Sequence, residues 1–129
     1  KWVLKELARC YVPGRILDVK GGATIPADPE FGLSEHVASV LLAARGAGNP
    51  ARAALNVRYD ESVVAALEAA GHTAVEFDAE APVESAIADA LAEGEADVIY
   101  QTGALGVEPV VYLLGPDAVT VAEWARESL

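Results

Sequence analysis

The residues best suited to chemistry gather in two stretches. In the first, from Pro29 to Tyr59, a Gly32-Leu33-Ser34 turn leads into an amphipathic segment carrying His36, and the run that follows carries Arg52, Asn56 and Arg58. A helix N-terminus leaves backbone N–H groups free and bears partial positive charge, which suits an anion. Arginine is shaped for bidentate phosphate contact. Together these residue types describe a cradle for a phosphorylated small molecule, with His36 as acid, base or phosphate contact. In the second stretch, TGALGVEP, Gly103 and Gly106 follow an apolar segment and can bring backbone close to a ligand, with Glu108 beside them.

Each of these residues also has a plainer reading. A lone histidine in a helix's first turn is commonly a half-exposed polar residue. Arg52 and Arg58 could form surface ion pairs, worth little individually. Asparagine is disfavoured in strands, so Asn56 between Leu55 and Val57 has either a hydrogen-bonding task or a surface position. Glu108 could meet a cationic heterocycle or a metal, or stand as a rim carboxylate. Spacing alone leaves these pairs of readings open. His72, directly after Gly71, reads as a helix-terminus residue. No HExxH, GxSxG, Walker or dinucleotide fingerprint occurs, and no His/Cys/Asp group has metal-ligand spacing. The single Cys10 excludes an intrachain disulfide and reads as a core or boundary residue.

The elements that must position these residues alternate in type. Trp2 to Cys10 is expected to be a short helix ended by Pro13-Gly14. Arg15 to Lys20 reads as a strand, and 23–32 as an ordered Pro/Gly-rich loop. Leu33, Val37, Val40, Leu41 and Ala44 make one stripe of a helix from about Ser34, its N-cap, to Arg45. Ala53 to Tyr59 is a strand with Asn56 and Arg58 on one side and Leu55 and Val57 on the other. Asp60 caps a helix stopped by Gly71, His72 to Phe77 is a strand, and Pro82 opens a helix ending near Gly94. Strands follow at Asp97 to Gln101 and Val110 to Leu114. Pro116, placed at the first helical position, opens a last helix with Val121 and Trp124 inward. The two adjacent strands between 97 and 114 argue against a purely parallel sheet. The expected fold is α/β, a three-layer α/β/α sandwich with a mixed central sheet.

Composition bounds the function. At 129 residues and 53% apolar content the chain supports one folded domain, 1–129, and no apolar run is long enough to span a membrane. No signal segment is visible and the expected location is the cytoplasm. The chain contains no Met, so Lys1 is not expected to be the natural start, and the segment reads as the C-terminal part of a longer protein. Nine Lys and Arg against 20 Asp and Glu give a net charge of −11. Such a surface fits halophile adaptation or an ordinary acidic protein. It is a poor partner for nucleic acid, whose phosphates need a basic face.

Read in order, PEFGLSEHVASVLL, RAALNVRY, VEFDAEAP and ADVIYQTGALGVEPVVYLLG resemble the successive motifs of the ThiN domain family, the archaeal-type thiamine-phosphate synthase domain. The resemblance runs from about Val12 onward. It implies a fold related to class II aldolases and a site for thiamine phosphate or its precursors. The family's synthases join hydroxymethylpyrimidine diphosphate to thiazole phosphate and release diphosphate; other members form part of thiamine-responsive repressors. His36 matches the family's active-site histidine, and Ser34, Asn56, Arg58, Gly103 and Glu108 match conserved motif positions. Several positions depart from the catalytic pattern. Glu35, Ala79 and Tyr112 stand where that pattern has Arg, Val107 where it has Lys, Gln101 where it has Asp, and Leu55 where it has Met.

Expelling diphosphate needs positive charge aimed at the leaving group, and losing one preorganised donor typically costs about 10²–10³ in rate. Binding a product-like thiamine phosphate needs no transition-state charge. The sequence therefore leads to a binding domain whose ligand contacts are Gly32, Ser34, His36, Arg52, Asn56, Arg58, Gly103 and Glu108, with His36 catalytic only if turnover survives. The expected role is the sensor module of a helix-turn-helix regulator, with DNA contacted through an upstream domain and not through this segment. An active synthase and a ligand-free dimerisation module are the alternatives. No metal site and no cofactor are expected, except Mg²⁺ if a diphosphate is bound. The expected partner is thiamine phosphate or a related small molecule, with a homodimer possible and no membrane.

Overall fold

The computed structural model describes residues 3–6, 17–19, 22–24 and 35–128. A five-stranded mixed sheet forms the middle layer. Its strands are β1 (Val3–Glu6), β4 (Ala53–Arg58), β5 (Ala74–Glu76), β6 (Val98–Gln101) and β7 (Val110–Gly115), in the spatial order β1-β4-β7-β6-β5. Among the described strands only the β5–β6 pair is parallel; β1–β4, β4–β7 and β6–β7 run antiparallel. A separate antiparallel pair joins β2 (Leu17–Val19) to β3 (Gly22–Thr24). The helices are α1 (Glu35–Gly46), α2 (Glu61–Ala69), α3 (Val83–Leu91) and α4 (Ala118–Ser128).

Period-two alternation in the strands assigns the two faces. Ala54, Ile99, Tyr112 and Leu114 pack with Val37, Val40, Leu41 and Ala44 of α1 and with Ala86, Ile87 and Leu91 of α3. Ala53, Leu55, Val57, Val98, Val111 and Leu113 point the other way, onto Val64 and Leu67 of α2 and Val121 and Ala125 of α4. Each sheet face thus has its own apolar layer, and the expected α/β/α sandwich with a mixed sheet is the architecture found.

Local signals end several elements where the sequence places them. Asp60 Oδ1 accepts from the Ser62 backbone N–H at 2.8 Å and caps α2. That helix closes with Gly71 N–H on the Glu68 carbonyl and His72 N–H on the Leu67 carbonyl. This is the paired closure that requires a left-handed residue, and Gly71 supplies it at φ 100°.

Three expectations are corrected. Val3–Glu6, expected within a helix, is a strand pairing along β4 with Val3 opposite Asn56. Four residues carry little helical period, and the row of N–H and C=O groups along β4 offers a long-range partner that local pattern does not reveal. Residues 23 and 24, expected in a loop, belong to β3. The last helix begins at Ala118 and not at Pro116: Asp117 Oδ1 accepts from Thr120 N–H at 2.8 Å, so Asp117 is the cap and Pro116 precedes it. Gly32, Leu33, Ser34, Cys10 and the rest of the 25–32 loop lie outside the described residues.

Candidate functional site

The sheet carries Asn56 and Arg58 of β4, Gln101 of β6 and Val110 and Tyr112 of β7 on its α1/α3 face. Register holds them together: Asn56 lies opposite Tyr112, and Val110 lies opposite both Arg58 and Gln101. They converge where β4, β5 and β6 end and β7 begins. A crevice of about 370 Å³ opens there. Its wall includes His36 from the first turn of α1, Arg58, Phe77 and Asp78 just past β5, and Val107 and Glu108 from the loop before β7. Crevices beyond strand carboxyl ends are where open α/β sheets commonly bind ligands.

The sequence-predicted residues divide on this geometry. His36, Asn56, Arg58 and Glu108 meet at the crevice. Arg52 does not: its backbone N–H pairs with Gly115 O at the opposite end of β4, about 20 Å away at roughly 3.3 Å per strand residue. A phosphate held by Arg58 is beyond its reach. Gly103 is absent from the wall but shapes it. It sits at φ 95°, where a Cβ would come 3.2 Å from the Val107 carbonyl oxygen, so the 102–109 loop folds this tightly only around glycine. A second hollow of about 430 Å³ at the far end of the sheet, beside Trp124 and Asp97, includes none of the predicted site residues in its wall.

Two further side chains at the crevice, both departures from the catalytic pattern, lie outside the expected set of ligand contacts. Gln101 is 4% exposed and spends both ends of its amide on the loop. Its Nε2 donates to the Glu108 carbonyl at 2.7 Å and its Oε1 accepts from Gly103 N–H. This brace presents Glu108 and Val107 to the crevice. A polar amide ending the buried run DVIY was the available signal. Tyr112, 1% exposed, reaches from the central strand to His36, where its hydroxyl and the imidazole Nε2 form a hydrogen bond. Burial pushes the Tyr112 hydroxyl well above the ordinary phenol range, so it stays neutral.

Of the positions that depart from the catalytic pattern, Ala79, Gln101, Val107 and Tyr112 line the crevice. Leu55 does not; it is buried on the α2/α4 face, where exchange with Met alters packing alone. Among the described lining residues Arg58 is the only Lys or Arg, set against Asp78 and Glu108. No group of three or more His, Cys, Asp or Glu among the described residues could hold a metal ion. Mg²⁺ usually takes only one or two carboxylates when phosphates supply further ligands, so Asp78 and Glu108 fit an ion brought in by a diphosphate. Such an ion would neutralise phosphate charge. Among the described residues, no helix is long and apolar enough to cross a membrane.

The geometry agrees with the likenesses to known proteins. The C-terminal domain of a phosphomethylpyrimidine kinase superposes with a TM-score of 0.87 over 99% of this chain and 84% of that one, at 21% identity, a likeness of fold. The C-terminal domain of protein MJ0236 gives 0.82 over 95% and 76%, at 31% identity. A curated thiamine-phosphate synthase ThiN of Methanothermobacter thermautotrophicus is 37% identical over 131 residues, covering 92% of this chain and 69% of its own length. The bifunctional thiamine biosynthesis protein ThiDN of Methanocaldococcus jannaschii is 35% identical over 118 residues, and this chain spans 28% of its length. The family model described as thiamine-phosphate synthase ThiN matches residues 9–127, and with it the chain belongs to the ThiN family.

Proposed function

We propose that the crevice binds thiamine phosphate without synthesising it. The observation that carries this reading is the charge of the described wall: Arg58 shares it with the carboxylates of Asp78 and Glu108 and with no second Lys or Arg, and Val107 and Tyr112 line it at positions that the resemblance marks as cationic in the catalytic pattern. One guanidinium and the first turn of α1 are enough to hold a phosphate monoester. Expulsion of diphosphate builds up more negative charge than the described residues of this wall offset. A module that binds the vitamin phosphate without making it serves as a sensor, and a DNA-binding segment elsewhere in the full-length protein would give that binding an output. In such a regulator the ligand acts by favouring one arrangement of the protein.

Calorimetric titration with thiamine monophosphate tests the binding, and absence of heat at millimolar ligand in concentrated KCl refutes it. A coupled assay with hydroxymethylpyrimidine diphosphate and thiazole phosphate tests the chemistry. The second reading, an active synthase, is favoured by the 37% identity to a curated synthase across 92% of the chain. Turnover that disappears in His36→Ala would establish it over the first.

A further inference from the structure

Among the described residues of the crevice wall, Tyr112 is the one large side chain that is both fully buried and capable of titrating. Asn56 on β4 and Ile99 on β6 flank it in register, so its ring is fixed within the central strand. A buried hydroxyl needs a hydrogen-bond partner. Its contact with His36 Nε2 joins β7 to the first turn of α1 across 76 positions of sequence. The two rings lie 6.0 Å apart and tilted by 49°, an end-on approach and not a stack. A neutral imidazole has one N–H and one acceptor nitrogen. Of the two groups, the phenol is the stronger acid and the imidazole nitrogen the stronger base. That pairing of acid with base favours the hydroxyl as the donor.

We infer that Tyr112 is a positioning residue that fixes the tautomer of His36: the Tyr112 O–H donates to Nε2, and the imidazole proton resides on Nδ1. The Nε2 lone pair is thereby occupied and withdrawn from base chemistry. His36, itself exposed, keeps Nδ1–H as its one donor, suited to an anionic oxygen. The inference rests on the reading of the crevice as a phosphate-binding site, and it assigns His36 a donor's part there. It also gives a consequence to the tyrosine at a position where the catalytic pattern has arginine. The imidazole is held by a neutral hydroxyl at the point where the catalytic pattern has a cation.

The chain has two histidines, which makes the test direct. Long-range ¹H–¹⁵N correlation spectra of ¹⁵N-labelled protein at about pH 8, above the usual imidazole range, report which ring nitrogen carries the proton. His36→Gln assigns the signals. The expected result is an unprotonated Nε2 and a protonated Nδ1 for His36. Tyr112→Phe should relax that ring toward the tautomer mixture of a free imidazole and weaken thiamine monophosphate binding about three- to ten-fold. A proton on Nε2 in the unaltered protein overturns the inference, as does a His36 pattern unchanged by Tyr112→Phe. A shifted tautomer with unchanged affinity overturns the donor role. If Tyr112→Phe fails to fold, the spectrum of the unaltered protein against His36→Gln decides. If the tautomer is as expected but no ligand binds, the phosphate-site reading falls and the positioning stands.

Discussion

Replacing Gln101 by Met should loosen the loop that builds one wall of the crevice while leaving the sheet intact. Methionine keeps the length and nearly the volume of the side chain, so the buried position stays filled. What is lost is the 2.7 Å bond to the Glu108 carbonyl and the bond from Gly103 N–H. Each such bond contributes about 1 kcal/mol net, and a donor left unpaired in a half-buried place costs about 1 kcal/mol more. Glu108 is exposed and its carbonyl can turn to water; Gly103 is half-buried and its N–H cannot turn as freely. The sum is a loss of about 2–3 kcal/mol, or roughly 6–12 °C in melting temperature for a domain of this size. Hydrogen exchange decides where the loss falls. Amides of 103–108 should lose protection, whereas those of β6 and β7 should keep theirs relative to the new global stability. Thiamine monophosphate affinity should fall with them, because Val107 and Glu108 leave the wall. A melting temperature within 1–2 °C of the unaltered protein, together with unchanged exchange at Gly103, would refute the brace.

Arg58→Ala should weaken thiamine monophosphate binding about ten-fold or more, since a charge-assisted bond contributes about 1.5–3 kcal/mol, while Arg52→Ala leaves it unchanged; equal effects in titration would contradict the placement of the two at opposite ends of β4. Gly115→Ala puts a Cβ 2.5 Å from Val121 Cγ1 and 3.0 Å from Trp124 Cζ3, so α4 must shift. Overpacking costs about 1–3 kcal/mol, partly offset by the strand preference of Ala, and a denaturant midpoint that rises would show that α4 sits less tightly than the structure has it. Asp60 and Asp117 are both held below the usual carboxylate range by hydrogen bonds, from Ser62 and from Thr120 respectively. Their folded-state values lie below their unfolded ones, so the caps stabilise fully above the ordinary aspartate range and are lost as pH falls through the depressed values. Stability against pH for Asp60→Ala/Asp117→Ala should be lowered near neutrality and converge on the unaltered protein in acid; a constant gap down to pH about 2 would exclude the linkage. With a net charge of −11, melting temperature should rise with KCl as self-repulsion is screened, and a flat profile would remove the halophile reading.

The elements between Ser34 and the end of the chain were legible because their signals are local. The stripe of Val37, Val40, Leu41 and Ala44, the Asp60 cap and the Gly71 stop each act within one or two helical turns. The alternation in β4 separated Asn56 and Arg58 from Leu55 and Val57, and the structure places the first pair on the crevice side. Val3–Glu6 misled, since what makes it a strand is a partner fifty residues away. The motif order along the chain also carried the family. What the sequence could not decide is which polar residues share a place. Arg52 and Arg58 look alike six positions apart; the extended strand between them sends them to opposite ends of β4, and only the assembled sheet shows that the crevice lies at the Arg58 end. The resemblance marks Gln101 and Tyr112 as departures from the catalytic pattern, but what they do is not local, because their partners, a loop carbonyl and a helix imidazole, are brought to them by the sheet. Local chemistry is written in neighbouring residues. The crevice is assembled by contacts between strands and across layers, whose register depends on packing the whole chain at once.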